Sequence, residues 1–220
     1  MRESSIKFVI SILSILIPFC ANTRNWNFGV EAGYLTNTMS VKEYKATARN
    51  GFRVGANAEY SFANQVTLTS GIDYLRKGVS VNGTKLLYTR ISRVKLSEMD
   101  YLQIPITMGY KFYVGSAVSI RPHIGGYYAV GIAGDSFVTG TDAFGQPNEK
   151  RVRTFGTTDD NIGDSFRPCN RNDAGLVFGA EFAWMHFGLN LEYDLGLVTA
   201  SYYGNGKQRT FSVTLTYWLF

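Results

Sequence analysis

The sequence predicts an all-β protein: an eight-stranded antiparallel up-and-down barrel that crosses a membrane. Apolar and polar residues alternate over long segments, the connections alternate between short and long, and aromatic residues gather near the segment ends. In one segment Leu102, Ile104 and Ile106 alternate with Gln103 and Thr107. Strict alternation indicates strands with one face in an apolar medium and the other in a polar one. Alternating stretches of about ten residues match a tilted strand that crosses a bilayer.

Eight strands are expected after the N-terminal segment. They cover, in order, Trp26–Leu35, Gly51–Tyr60, Gln65–Arg76, Met99–Phe112, Val118–Ile132, Asn172–Trp184, Phe187–Leu197 and Arg209–Phe220. Tight turns join them at 61–64, 113–117 and 185–186, whereas the connections 36–50, 77–98, 133–171 and 198–208 are long. Short periplasmic turns and long extracellular loops are the plan of bacterial outer-membrane barrels.

The N-terminal segment 1–21 has the pattern of a secretory signal peptide, which leaves 22–220 as the barrel domain. Arg2 and Lys7 precede an apolar run at 8–19 that is too short to be a spanning helix. A buried N-terminal strand or helix is one alternative, and lipid attachment at Cys20 is another. If Cys20 leaves with the signal, the mature chain keeps only Cys169, which excludes a disulfide framework and a cysteine-based metal site.

Aromatic residues at the strand ends predict two girdles at the levels of the lipid headgroups. The short-turn end carries Trp26, Tyr60, Tyr110, Phe112, Trp184, Phe187, Tyr217 and Trp218. The long-loop end carries Tyr34, Phe52 and Tyr74.

Charged residues share the parity opposite to the apolar stripe, which predicts a charge network inside the barrel. Its members are Glu31, Arg53, Glu59, Asp73, Lys111, Arg121, His123, Glu181, Glu192 and Asp194. On a soluble lipocalin-like barrel the same residues would be surface charges around an apolar pocket. The soluble interpretation does not explain the strand lengths, the girdles and the signal peptide together.

The residues also carry a family resemblance. Tyr101-Leu-Gln-Ile-Pro-Ile106 with Gly109-Tyr-Lys-Phe112, Pro122-His-Ile-Gly-Gly-Tyr-Tyr128, and the stretch from Asp173 to Leu197 resemble strands of the small outer-membrane β-barrel family of Bacteroidetes-type bacteria, which includes PorT-like proteins. The likeness covers most of 26–220. It implies the barrel fold but no specific task, because that family shares no catalytic motif.

Two positions depart from a regular barrel. Phe211, Val213, Leu215 and Tyr217 share one parity and the terminal Phe220 has the other, so either a bulge near Trp218 or an atypical C-terminal signal is expected. Pro105 cannot donate a backbone hydrogen bond within its strand. A local bulge is expected there too.

No residue pattern predicts catalysis, so no enzymatic activity and no cofactor or metal site is expected. His123 in the lumen and His186 in a turn lack a nucleophile or carboxylate close in sequence. Segment 133–171 has mixed charge and is interpreted as a solvated loop or as a binding site for an external partner. Calcium binding by Asp159, Asp160 and Asp164 is a weak alternative. The Asn82-Gly83 pair predicts a hairpin turn that extends two strands beyond the membrane.

The expected function is structural or surface-binding, through extracellular loops on a barrel whose charge-filled lumen conducts little. A narrow porin-like transporter and an accessory barrel of a protein-secretion system are the alternatives. The expected partners are outer-membrane lipid and lipopolysaccharide, the barrel-assembly machinery, and an extracellular ligand or a secretion-system component. The net charge of +5 is spread along the chain, so no nucleic-acid partner is expected. The expected location is the outer membrane of a Gram-negative bacterium.

Overall fold

The computed structural model describes residues 25–40, 45–82, 91–141, 147–155, 169–200 and 206–219. These residues form ten strands: β1 (Trp26–Ser40), β2 (Lys45–Ser61), β3 (Val66–Asn82), β4 (Ile91–Tyr110), β5 (Phe112–Val114), β6 (Val118–Thr141), β7 (Pro147–Arg153), β8 (Asn172–Trp184), β9 (Phe187–Gly196) and β10 (Lys207–Trp218). Within these ranges, no helix is long and apolar enough to cross a membrane.

Eight of the strands close into one barrel. The hydrogen-bonded order is β4-β3-β2-β1-β10-β9-β8-β6, and β4 pairs with β6 to complete the ring. All of these pairings are antiparallel. Strand β5 continues β4 beyond Lys111 along β6, and β7 pairs with β6. The predicted eight-stranded antiparallel up-and-down barrel is therefore confirmed.

The barrel is apolar outside and polar inside. Along β4, Ile104, Ile106 and Met108 are about half exposed, whereas Gln103 and Thr107 are buried. Successive residues of a strand point to opposite faces of the sheet, so a polar interior requires the apolar side chains to face outward. An outward apolar band with a polar interior is typical of a barrel that has lipid as its outer solvent.

Several strands are longer than a bilayer requires. β4 has 20 residues and β6 has 24, whereas a tilted crossing takes about 9–11. Segments 36–50 and 133–171, interpreted as loops, therefore contain strand, and that part of the prediction was wrong. β3 and β4 pair as far as Asn82 with Arg93, as expected from the Asn82-Gly83 signal.

A strand hairpin occupies part of segment 133–171. β7 runs antiparallel to the end of β6, from Asp135 opposite Arg153 to Thr141 opposite Pro147. Asp135 forms an ion pair with Arg151, which lowers the pKa of the Asp135 carboxyl. Asp159, Asp160 and Asp164, the calcium candidates, lie outside the described residues.

The bulge expected at Pro105 is absent, and the described part of β10 contains no bulge near Trp218. Ser70 pairs with Ile106 and Asp73 pairs with Gln103 in the same register, so Pro105 causes no shift in the pairing of β3 with β4. The Ser70 hydroxyl donates a hydrogen bond to the Pro105 carbonyl at 2.9 Å, which adds a side-chain contact beside the missing N–H donor. The pairing of β1 with β10 is also regular up to Trp218, and Phe220 lies outside the described range.

We expect the folded protein to migrate differently from the boiled protein in a detergent gel run without prior heating. A closed barrel has no free strand edge at which unfolding can begin, so detergent alone should leave it intact. Gel mobility of the purified protein with and without boiling measures this. Recovery of an intact, detergent-free soluble monomer would contradict it.

Candidate functional site

All ten predicted lumen side chains point into the barrel. Nine of them are buried, and the Lys111 side chain is 18% exposed. They form two groups at different heights. We call the group towards the long connections the upper cluster; it contains Glu31, Arg53, Asp73, His123, Glu192 and Asp194. The lower cluster, near the short turns, contains Glu59, Lys111, Arg121 and Glu181.

Arg53 is the centre of the upper cluster. Its Nε lies 2.8 Å from Glu31 Oε1, its Nη2 lies 2.6 Å from Asp73 Oδ2, and its Nη1 contacts Glu192. The planar guanidinium has five donors in a fixed arrangement and can serve several carboxylates at once. Since Glu192 belongs to β9 and Arg53 to β2, this ion pair crosses the lumen.

The register between β2 and β3, which brings Arg53 to Asp73, differs from the one expected for a turn with its apex at Ala63. With Ala63 at the turn apex, Arg53 would lie directly opposite Asp73; in the structure Arg53 is opposite Leu75, and Asp73 is opposite Gly55. A shift of two residues keeps both side chains on the lumen face. The ion pair is therefore diagonal. Gly55 permits it, because a Cβ there would collide with the Asp73 carboxylate.

Within the upper cluster, His123 is an ordinary lumen residue. Its Nε2 lies 3.2 Å from Glu192 Oε1, and its Nδ1 lies 3.4 Å from the Arg121 carbonyl. Gln103 donates from Nε2 to Asp194 Oδ2 at 3.2 Å. The contacts of His123 are thus a carboxylate and a carbonyl, which is the environment of a structural histidine.

The lower cluster is balanced in charge. Arg121 Nη1 lies 2.6 Å from Glu59 Oε2, and its Nη2 lies 2.6 Å from Glu181 Oε2. Lys111 also contacts Glu59. Two basic and two acidic groups from four neighbouring parts of the wall are therefore tied together near the short-turn end.

The prediction that Trp218 belongs to the aromatic girdle was wrong. Trp218 is 5% exposed, and its Nε1 donates to Glu181 Oε1 at 2.8 Å. The Arg121 guanidinium carbon lies 5.8 Å from the centre of the Trp218 ring. Neighbouring residues of a strand face opposite ways, so Tyr217 and Trp218 cannot both face outward.

The other seven girdle residues face outward. Tyr60 is partly exposed, and the six more exposed rings are Trp26, Tyr110, Phe112, Trp184, Phe187 and Tyr217. Several of these rings touch, as in the pair Tyr110 and Phe112, whose centroids are 4.8 Å apart. At the long-loop end, Tyr34 and Phe52 are exposed and Tyr74 is partly exposed.

Sequence reasoning missed an apolar plug at the upper end of the lumen. It contains Leu35, Met39, Leu75, Val79, Met99, Tyr101, Tyr127, Ala129, Phe155, Cys169, Val177 and Ala200. Phe155 packs edge-on against Tyr101 with centroids 5.2 Å apart, and the Cys169 thiol lies 3.9 Å from the Met99 sulfur. Parity could have placed Leu35 and Leu75 inside. No local pattern marks Phe155 and Cys169. Both belong to segment 133–171, for which a solvated loop was one interpretation, and both are buried in the plug.

Lys77 is a further lumen cation, which the sequence interpretation did not identify. It is 1% exposed, and its ammonium lies 5.2 Å from the Tyr101 ring centre and 5.8 Å from that of Tyr127. A cation over two aromatic faces is attracted by their quadrupoles. Tyr127 in turn donates to Asp173 Oδ2 at 3.1 Å, which joins the plug to the lumen charges.

The space that remains between the two clusters is small. A cavity of about 20 Å³ lies there, with walls that include Glu31, Arg53, His123, Arg121 and Trp218. A volume of this size accommodates about one water molecule. Among the residues that the structure describes, no three His, Cys, Asp or Glu side chains are placed to hold a metal ion.

Comparison with known proteins decides the family. The family model described as "Outer membrane protein beta-barrel domain" matches residues 18–201. The chain belongs to this family. It is thus a protein of the Gram-negative outer membrane, with the short turns expected in the periplasm. The finer likeness to PorT-like barrels and the signal peptide at 1–21, which lies outside the described residues, both stay predictions.

Several solved structures are similar to this chain at low sequence identity, and the match to one of them, OprG, supports the barrel fold. The outer membrane protein OprG from Pseudomonas aeruginosa is 15% identical with a TM-score of 0.51, over 89% of this chain and 96% of that one. The attachment invasion locus protein Ail of Yersinia pestis is 16% identical with a TM-score of 0.41, over 89% and 99%. Neisserial surface protein A is 14% identical with a TM-score of 0.41, over 86% and 96%. No curated protein matches the chain significantly.

We expect strong coupling between Arg53 and Asp73. Arg53→Ala leaves buried carboxylates without their cation and should cost about 3–5 kcal/mol of unfolding free energy. Asp73→Ala should cost less, since Glu31 and Glu192 remain on the guanidinium. The double variant should lose less than the sum of the singles, by about 1–3 kcal/mol.

Urea unfolding of the wild type, both single variants and the double variant in detergent micelles measures this coupling. The matched control is the exposed pair Arg151 and Asp135, for which the same cycle should give a coupling much closer to zero. Additive effects of Arg53→Ala and Asp73→Ala would contradict the ion-pair geometry.

Proposed function

We propose that this protein is a largely non-conducting outer-membrane barrel with a structural or surface-binding role, exercised through its extracellular end. The observation that carries the proposal is that the described residues fill the lumen: they form two charge clusters and an apolar plug, with a cavity of about 20 Å³ between the clusters. An eight-stranded barrel is just wide enough for side chains to fill it. The proposal includes no catalytic role.

The surface-binding part rests on the strand extensions. β6 and β7 form a paired hairpin beyond the barrel wall, and β4 pairs with the same part of β6 as far as Ile91 with Gly140. Arg151 and Arg153 on β7 are exposed. A paired sheet is a firmer support for a contact surface than a solvated loop, because its backbone groups are already hydrogen-bonded. Its partner is expected outside the cell.

We expect no long-lived, porin-sized conductance from the purified protein in planar bilayers, because the lumen side chains are held by ion pairs. Among the described residues, the lumen face carries seven carboxylates (Glu31, Glu59, Asp73, Asp173, Glu181, Glu192 and Asp194) against five Lys and Arg side chains (Arg49, Arg53, Lys77, Lys111 and Arg121). A narrow pore through it would therefore select cations. Stable cation-selective steps would contradict the proposal and favour the transporter alternative. A large porin inserted in the same bilayers is the positive control.

We expect an epitope tag inserted after Gly145, between β6 and β7, to be stained by antibody on intact cells. The matched control is the same tag after Ser116, in the short turn between β5 and β6, which should be stained only after the outer membrane is permeabilised. The opposite staining pattern would show that the barrel has the opposite orientation in the membrane, which would remove the basis for a surface role.

A further inference from the structure

Phe155 closes the extracellular mouth of the lumen from a position outside the barrel strands. It follows β7, which ends at Arg153, and it is 5% exposed. Its ring lies against the backbone of Gly131 on β6, where an added Cβ would come within 2.6 to 2.8 Å of three ring carbons. Tyr101, directly opposite Gly131 on β4, meets the same ring edge-on with centroids 5.2 Å apart. Gly131 and Tyr101 thus form a seat for the ring that a side chain at 131 would block.

The contacts that hold Phe155 near its seat do not belong to the strand pairs that close the barrel. The Thr154 N–H donates to the Gly134 carbonyl at 3.0 Å, and the Thr154 carbonyl accepts from the Cys169 N–H at 3.2 Å. The hydroxyls of Thr154 and Ser136 are 2.6 Å apart, and Phe155 and Cys169 form an isolated bridge. The ring of eight paired strands is complete without these contacts. Phe155 can therefore leave its seat while the barrel wall stays paired.

Buried polar side chains lie on the lumen side of this seat, and three of their atoms have no hydrogen-bond partner among the described residues. These atoms are Lys77 Nζ, Asp173 Oδ1 and Gln208 Oε1. The Lys77 ammonium lies over the rings of Tyr101 and Tyr127. Gln208 Nε2 donates to the Tyr101 hydroxyl at 2.8 Å, and the Tyr127 hydroxyl donates to Asp173. A buried polar atom without a partner carries a desolvation cost that contact with water removes.

We propose that Phe155 is a gate: it closes the mouth in one state, and in a second state it leaves its seat and admits water and small cations to the upper lumen. Two opposing contributions set the balance between the states. The closed state buries the apolar ring, and the open state hydrates the three unpartnered polar atoms. Among the described residues the lumen face carries more carboxylates than Lys and Arg side chains, so cations enter in preference to anions. The charge clusters below stay packed in both states, so the open state is a pocket and not a continuous pore.

The test is the labelling rate of a cysteine at Ala129, which is fully buried and lies two residues below Gly131 on the same lumen face. Ala129→Cys is introduced into the full chain without Cys20 and Cys169, and the folded barrel is treated with a small, positively charged methanethiosulfonate reagent. With Phe155 in place, labelling should be slow but should reach completion while the barrel stays folded. In Phe155→Ala it should be at least about tenfold faster. A negatively charged reagent of similar size should react more slowly than the positive one.

Gly131→Ala tests the seat independently. Its methyl group would collide with the ring, so labelling should accelerate although Phe155 is present, and the substitution should add nothing in Phe155→Ala. The matched controls are Gly126→Ala and Phe211→Ala on the outer face. A Cβ at Gly126 would meet only the Gly175 carbonyl, at 3.3 Å, and Phe211 is 42% exposed. Both controls should label like the chain with an intact gate.

Each variant is first checked for the folded, heat-sensitive gel mobility, and Phe155→Leu replaces Phe155→Ala if the alanine variant does not fold. Equal labelling rates with and without the Phe155 ring would show that another part of the plug controls access, and would overturn the proposal. Labelling in Phe155→Ala but none at all with Phe155 in place would make the ring a permanent plug and also overturn it. The same holds if Gly131→Ala accelerates labelling equally with and without Phe155.

Discussion

The structure depends on one electrostatic constraint: charges removed from water inside the lumen must find partners. Arg53, 2% exposed, meets Glu31, Asp73 and Glu192, and without these contacts its burial would cost several kcal/mol. Its partners come from β1, β3 and β9, so the pairing links neighbouring strands and also opposite walls. A strand slip by one residue would move Arg53 or its partners to the lipid face, where no partner is available. The ion pairs therefore help to fix the register of the barrel.

The same constraint shapes what the protein can do. Paired charges fill the middle and lower lumen, and the apolar plug around Tyr101 and Phe155 fills the upper end. With the interior used for packing, the surfaces left for function are the ends of the barrel and its lipid-facing wall. The paired extension of β6 and β7 is such a surface.

The sequence predicted the barrel well, because a period of two places each side chain on one face wherever the strand continues. This is why all ten charged residues assigned to the lumen lie there. Parity also predicts that Trp218 faces inward, but grouping aromatic residues by chain position placed it with Tyr217. The turn between β2 and β3 gave a register wrong by two residues, since the apex of a short connection is ambiguous by about one residue.

Long-range packing could not be predicted in this way. Phe155 and Cys169 enter the lumen from a segment without periodicity, and their burial depends on Tyr101 and Met99, which are distant in sequence. Strand extension beyond the bilayer was underestimated for the same reason. In 133–171 the alternation is weak, and pairing of β6 with β7 and β4 overrides the local loop-like composition.

The central claim, a lumen closed by packed side chains, is tested most directly by the accessibility of single cysteines. Thr107 and Thr216 line the small cavity and are buried, and Thr→Cys changes little volume at either position. In a background without Cys20 and Cys169, Thr107→Cys and Thr216→Cys in the folded barrel should resist a water-soluble maleimide, while Ser116→Cys in the exposed turn reacts. Rapid labelling of Thr107→Cys or Thr216→Cys in the folded, heat-sensitive form would show a water-filled lumen and contradict the account.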